Sequence, residues 1–200
     1  MIEFTTFIQL LVASFFLNNI ISTYFIGIET LSKLEHKIEN VFKNTIALLL
    51  VLPFVSVMSY LIYHELLLEM NDLGETLKDY TYFQTILYVF IIIVSSLIIT
   101  TSIQKVFPKL HHYLGTSLKH ITTNTAVLGV LLLNILSVGS VVESFIFAVM
   151  MTLGYGFVLL IVTYIEKQLE NAPIPSNFKG LPLQFIILAI IALIFSGFGN

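Results

Sequence analysis

Six apolar stretches constrain this chain more than any other feature of its sequence. A helix needs roughly 20 mostly apolar residues to cross the hydrocarbon core of a bilayer. The connections between the stretches are short and leave no room for a separate soluble domain. We therefore predict an all-α integral membrane protein with six transmembrane helices in a single membrane domain over residues 1–200. The predicted spans cover about residues 4–28, 44–63, 82–103, 118–136, 144–165 and 181–198.

The balance of charged and apolar residues supports a membrane environment. The chain is 57% hydrophobic and only 10% charged, whereas soluble domains carry about 25% charged residues. Its formal net charge is −3 and its basic residues are all lysines. A nucleic-acid partner would require a basic surface, so the lipid bilayer is the expected environment and nucleic acid is not an expected partner.

The lysines indicate how the chain is oriented. Positive charge in short connections marks the cytoplasmic side of a membrane. On the opposite side, the connections carry Lys78 and mostly acidic residues. We therefore predict a multi-pass protein of the inner (cytoplasmic) membrane with both termini outside. The lysines of the first, third and fifth connections are Lys33, Lys37, Lys43, Lys105, Lys109, Lys167 and Lys179.

Two connections carry more specific expectations. The second connection, residues 64–80, is long and acidic, and its segment 65–70 favours a short amphipathic helix at the outer interface. In the third connection, adjacent His111 and His112 would point to different sides and favour a solvated loop over a shared metal site.

The polar residues indicate a 3+3 inverted repeat with halves of about 1–103 and 104–200. Three spans in each half make the second half inverted relative to the first, and such repeats place sites on interrupted helices. Span one carries Asn18, Asn19 and Gly27, and span four carries residues 122–125 and Gly129. We therefore predict that helices 1 and 4 are interrupted.

The polar residues of these two spans allow two interpretations. The side chains of Thr122, Thr123, Asn124 and Thr125 could coordinate a sodium ion, or they could satisfy backbone groups freed by the break. Asn18 and Asn19 likewise could form helix–helix hydrogen bonds or belong to an ion path.

No self-contained catalytic or metal site is predicted. The chain has no cysteine, so it cannot form a thiolate zinc site or a cysteine-held iron–sulfur cluster by itself. The sequence contains no H-E-x-x-H motif, no glycine-rich phosphate loop and no nucleophile–base–acid set.

Motifs spread over nearly the whole chain resemble the A-type subunit of the Rnf complex and the related E-type subunit of the sodium-pumping NADH:quinone reductase. The family signature I-T-T-N-C-A-V-L-G is similar to ITTNTAVLG at residues 121–129. Further similar motifs are NN at 18–19, FIGIE at 25–29, KIE at 37–39, IPSNFKG at 174–180 and IFSGFG at 194–199.

The resemblance implies six spans in two inverted halves, with both termini outside, and pairing with a homologous six-span subunit. It also implies a [2Fe–2S] cluster that the two subunits hold with two cysteines each, and flavin- or cluster-bearing partner subunits. Electrons would cross the membrane through this cluster, coupled to movement of sodium ions or protons.

The chain departs from the family at the two cluster-ligand positions, where it has Glu29 and Thr125. A carboxylate prefers hard cations and a neutral hydroxyl is a poor iron ligand. Cluster ligation is therefore not expected of this chain. We hypothesise that Glu29 pairs with Lys119, or joins a network with Lys119 and His120. In the simpler interpretation, Glu29 and Lys119 are interfacial residues.

Three functions remain open from the sequence. The first is a membrane subunit of an Rnf-like or sodium-pumping-reductase-like electron-transport complex, part of a membrane oxidoreductase (translocase) without its own cluster ligation. The second is a non-redox ion or small-solute transporter that uses Glu29 and Lys119 as a gating or coupling pair. The third is a purely structural subunit.

Overall fold

The computed structural model describes residue 8 and residues 11–34, 37–70 and 76–197. The predicted beginning of span one and end of span six lie outside these residues. Eight α-helices are present in the described part of the chain. They are α1 (Glu29–Lys33), α2 (Ile38–Ile62), α3 (Gln84–Val106), α4 (Pro108–Leu114), α5 (Thr116–His120), α6 (Thr125–Ser137), α7 (Val141–Leu169) and α8 (Leu181–Ser196).

Three continuous helical segments of the described chain are long and apolar enough to cross a membrane: Ile38–Leu67, Thr81–Val106 and Val141–Leu169. A fourth crossing exists if Thr116–Thr123 and Thr125–Ser137, bent by 55° relative to each other, form one broken span. Helix α8 is apolar but has only 16 residues. The all-α membrane class is confirmed, while the count of six spans and the inverted repeat stay predictions.

Helices α2 and α7 form the centre of the bundle. Val51 and Val55 of α2 and Met151 and Val158 of α7 are all fully buried. Gly156 of α7 lies directly against the side chain of Thr45 on α2. Because small residues let helix backbones approach closely, this contact is typical of packing within membranes.

The outer surface of the bundle is strongly apolar. Phe54 on α2, Phe90 and Leu97 on α3 and Leu193 on α8 are exposed by 50%, 63%, 60% and 74%. Side chains of this kind suit contact with lipid tails, which helices can make because their backbone groups are paired internally. The exposed face thus agrees with the membrane class.

The second connection differs from its prediction. A π-helical turn, Tyr63–Leu67, leads into strand β1 (Leu68–Met70), which pairs antiparallel with β2 (Thr76–Asp79). The amphipathic helix predicted over residues 65–70 is therefore wrong, because Leu68 takes up an extended backbone and pairs with Asp79. The hydroxyl and backbone N–H of Thr81 donate to the Asp79 carboxylate and hold its pKa below the usual value.

The third connection also differs from its prediction. His111 and His112 lie in helix α4 and not in a loop. Pro108 is the first residue of α4, where its fixed φ suits a helix start and its missing N–H needs no partner. Gly115 follows with a positive φ of 51° and separates α4 from α5.

Candidate functional site: the crossing of two broken helices

The first break lies between the π-helical turn Ala13–Leu17 and helix α1. Asn19 is fully buried there. Its Nδ2 donates to the Phe15 carbonyl at 3.0 Å, and its Oδ1 accepts from the backbone N–H groups of Ile21 and Ser22 at 3.2 and 3.3 Å. The side chain thus satisfies backbone groups that the interrupted helix leaves unpaired.

The end of the first break requires an unusual backbone. Phe25 and Gly27 have φ values of 56° and 86°, in the left-handed region that glycine tolerates best. A Cβ atom on Gly27 would lie 2.7 Å from the Cβ of Ala126 and 3.0 Å from the Tyr155 ring. Gly27 is therefore needed both for its conformation and for its close contact with α6 and α7.

The second break is a single residue, Asn124, between the 3₁₀ turn Ile121–Thr123 and helix α6. Asn124 has an extended backbone with φ −88° and ψ 114°. Its Oδ1 accepts from the backbone N–H of Ala126 at 2.9 Å, and thereby caps α6. The interruptions predicted in helices 1 and 4 are both present.

Glu29 and Thr125 connect the two breaks directly. The Thr125 hydroxyl lies 2.9 and 3.0 Å from the two carboxylate oxygens of Glu29, and the Thr125 backbone N–H donates to Glu29 Oε1 at 2.9 Å. The same hydroxyl accepts from the backbone N–H of Gly27 at 3.0 Å. The carboxylate thus lies at the N-terminus of α6, where the helix dipole favours negative charge.

Tyr155 completes this crossing, and sequence analysis did not identify it. It is 1% exposed, and its hydroxyl donates to the carbonyl of Gly27 at 2.9 Å. Gly27 is therefore held through its N–H by Thr125 and through its carbonyl by Tyr155. The one sequence signal is the position of Tyr155 between Gly154 and Gly156, which marks a place where helix α7 is closely approached.

A [2Fe–2S] cluster does not fit between these residues. The side chains at the two ligand positions of the similar family touch each other at hydrogen-bonding distance. The Thr125 hydroxyl already accepts from Gly27 and lies against the carboxylate, and a neutral hydroxyl is a poor iron ligand. Within the described residues, no three histidine, aspartate or glutamate side chains form a metal-binding group.

The other predicted site residues have separate surroundings. Lys119 and His120 are exposed residues of α5. Their backbone carbonyls accept from the hydroxyls of Thr122 and Thr123, at 3.3 and 3.2 Å. Among the described residues, no hydrogen bond or ion pair joins Lys119 to Glu29. The pairing thus stays a prediction with no contact to support it.

Both predicted interpretations of the polar residues can be set against their contacts. The hydroxyls of Thr122 and Thr123 and the amide of Asn124 all bond to nearby backbone groups. Asn18 is half-buried, and its backbone N–H donates to the Ala13 carbonyl at 2.7 Å. These contacts are those of residues that cap a helix break. An ion path through the same residues stays a prediction.

The fold and this crossing define a class: a helical membrane protein whose two interrupted helices meet at a buried backbone junction. The family model described as Rnf-Nqr subunit, membrane protein, matches residues 7–200. The chain belongs to the Rnf-Nqr family of membrane subunits.

Similar curated relatives cover almost the whole chain. A protein of Pasteurella multocida is 31% identical over 194 residues, which is 97% of each chain. Proteins of Shewanella pealeana and Shewanella piezotolerans are 32% and 33% identical over 192 residues, which is 96% of each chain. All three are named as the A-type subunit of an ion-translocating oxidoreductase complex.

Proposed function

We propose that this chain is a membrane subunit of an ion-translocating electron-transfer complex, with a carboxylate–hydroxyl link where relatives of this kind would hold their share of a cluster. Family membership and the similar full-length relatives support the assignment to such a complex. The observation that carries the more specific claim is the direct contact between Glu29 and Thr125.

The position of this contact is suited to a subunit interface. Thr125 is exposed and Glu29 is half-buried, although the neighbouring Gly27 and Tyr155 are buried. The link therefore lies at the edge of the bundle, where a homologous six-span subunit can cover it. Flavins belong in further partner subunits of the complex under this proposal.

The proposed placement in the membrane follows from the lysines. The chain would cross the inner membrane several times as one domain, with halves of about 1–103 and 104–200 and both termini outside. Lys33, Lys43, Lys105 and Lys167 all lie at helix ends or in connections predicted to be cytoplasmic. This agrees with the positive charge expected on that side.

The link offers a chemistry that fits ion movement. An ionised Glu29 accepts hydrogen bonds from the backbone N–H and hydroxyl of Thr125. Protonation of the carboxylate, or an approaching cation, would weaken the negative charge that these donors stabilise. Occupancy of Glu29 by a proton or cation would then change how firmly the first break is held against helix α6. No contact favours the alternative transporter based on a Glu29–Lys119 pair.

The proposal is tested on the complex purified from its native membrane through a tag on this chain. We expect partner subunits with flavin to copurify, and donor-driven ion uptake after reconstitution into vesicles. Glu29→Gln keeps the size of the side chain and removes its charge, and we expect it to slow ion uptake about tenfold or more, the factor that about 1.4 kcal/mol produces.

Glu143→Gln provides the matched control. Glu143 also accepts a backbone N–H, that of Gly139, at 2.8 Å, but it lies at the start of α7. It should leave ion uptake unchanged. Equal rates for Glu29→Gln and the original complex would refute the role of Glu29. An iron–sulfur paramagnetic signal that changes with Thr125→Ser would refute the absence of cluster ligation, and isolation without flavin-bearing partners would refute the complex.

A further inference from the structure

A polar cavity of about 290 Å³ lies beside the second break, where α1, α4, α5 and the first turns of α2 meet. Its lining includes Lys33, Lys43, His112 and His120. All lining residues belong to the described part of the chain, and none is an aspartate or glutamate. The cavity therefore combines two ammonium groups and two imidazoles with no opposing carboxylate in its wall.

Asn44 gives independent evidence that the cavity holds an acceptor. Its side chain lines the cavity and is only 4% exposed, yet its Nδ2 donates no hydrogen bond. Buried polar groups are nearly always paired, and an unpaired one costs about 1–3 kcal/mol. A bound group with free oxygen atoms would pair with this amide.

Lys43 is held in place by groups outside the cavity wall. Its Nζ lies 2.7 Å from Glu39 Oε1 and 5.1 Å from the centre of the Tyr113 ring. The Glu39 side chain is 68% exposed, so solvent weakens its hold on the ammonium. Lys43 is thus positioned at the cavity while Lys33 adds a second positive charge.

We infer that this cavity binds a phosphate group. A tetrahedral anion has oxygens for donors on several sides, and ammonium and amide groups form strong charge-assisted hydrogen bonds with it. The volume is close to the lower end of ligand pockets, about 300 Å³, and suits a small group. Phosphate occurs both in anionic lipid headgroups, which are common on the cytoplasmic side, and free in solution.

The test uses the full chain in nanodiscs of phosphatidylcholine. In one arm, inorganic phosphate is titrated and binding is followed by calorimetry. In the other arm, phosphatidic acid replaces part of the lipid, and native mass spectrometry counts the lipids that remain bound. We expect saturable binding in at least one arm. Binding in the lipid arm alone identifies a headgroup site, and binding of inorganic phosphate identifies a site for the free anion.

Three variants decide whether the cavity is responsible. Asn44→Leu removes the buried donor, and Lys33→Gln removes one exposed charge with little effect on folding. Each should weaken binding about tenfold, as expected for the loss of about 1.4 kcal/mol. Lys109→Gln changes an exposed lysine of α4 that does not line the cavity, and it should leave binding unchanged. Absence of saturable binding in both arms, or equal weakening by Lys109→Gln and Lys33→Gln, would overturn the inference.

Discussion

The two helix breaks of this chain differ in length and in what holds them. The second break is one residue, Asn124, which caps α6 through a bond to a backbone group two residues away. The first runs from Asn18 to Ile28 and includes two residues with positive φ, Phe25 and Gly27. Its end is fixed by Thr125 and Tyr155, which come from α6 and α7.

The comparison shows that the breaks depend on each other unequally. The cap at Asn124 is local, so it can form as soon as α6 begins. The conformation at Gly27 is strained for most residues and persists only when surrounding groups hold it. We therefore expect damage at the second break to disturb the first, whereas the second should tolerate local damage at the first.

Gly27→Ala should have the largest effect. The new Cβ would meet Ala126 and Tyr155 and would occupy a positive φ, and the strain and overpacking together should cost about 2–5 kcal/mol. The free energy of unfolding in mixed micelles measures this cost. Gly180→Ala is the matched control, because Gly180 has a φ of 74° but no atom within 4 Å of an added Cβ. If both variants lose the same stability, close packing at Gly27 contributes nothing.

Asn19→Ala should be the next most harmful change. It leaves three backbone groups without their partner, at a cost of about 2–3 kcal/mol. Asn124→Ala removes one capping bond and should cost about 1 kcal/mol. Unfolding of the two variants in the same micelles gives the difference. A larger loss for Asn124→Ala would reverse the comparison between the breaks.

Tyr155→Phe tests the hold on Gly27 from α7. The change removes only the hydroxyl that donates to the Gly27 carbonyl, and we expect a loss of about 1–2 kcal/mol of unfolding free energy. Hydrogen exchange should also speed up at the backbone N–H of Gly27. The control is Tyr164→Phe on the same helix, because Tyr164 is exposed. Unchanged exchange at Gly27 in Tyr155→Phe would show that Thr125 alone fixes the junction.

Local pattern was enough to predict part of this arrangement. Apolar length predicted the membrane helices, and polar residues within apolar spans predicted the interruptions near Asn19 and Asn124. The similar signatures identified Glu29 and Thr125 as positions of interest. Their mutual contact could not be predicted, because it joins residues 96 apart in the chain and depends on how the two breaks pack. Tyr155 was missed for the same reason, since its spacing within α7 is that of any core residue.

The smallest effect is expected for the link between Glu29 and Thr125 itself. Glu29→Ala, Thr125→Ala and the double variant form a cycle that isolates the coupling between the two side chains. Hydrogen bonds between side chains in membrane proteins contribute about 0.6 kcal/mol on average, so we expect a coupling of about 0.5–1.5 kcal/mol. Thr101→Ala replaces Thr125→Ala in the control cycle, because Thr101 is an exposed threonine of α3 that donates to its own helix. That cycle should be additive. Coupling as large in the control as in the Glu29–Thr125 cycle would mean that the contact does not join the two breaks energetically, and the dependence of the first break on the second would then rest on Gly27 and Tyr155 alone.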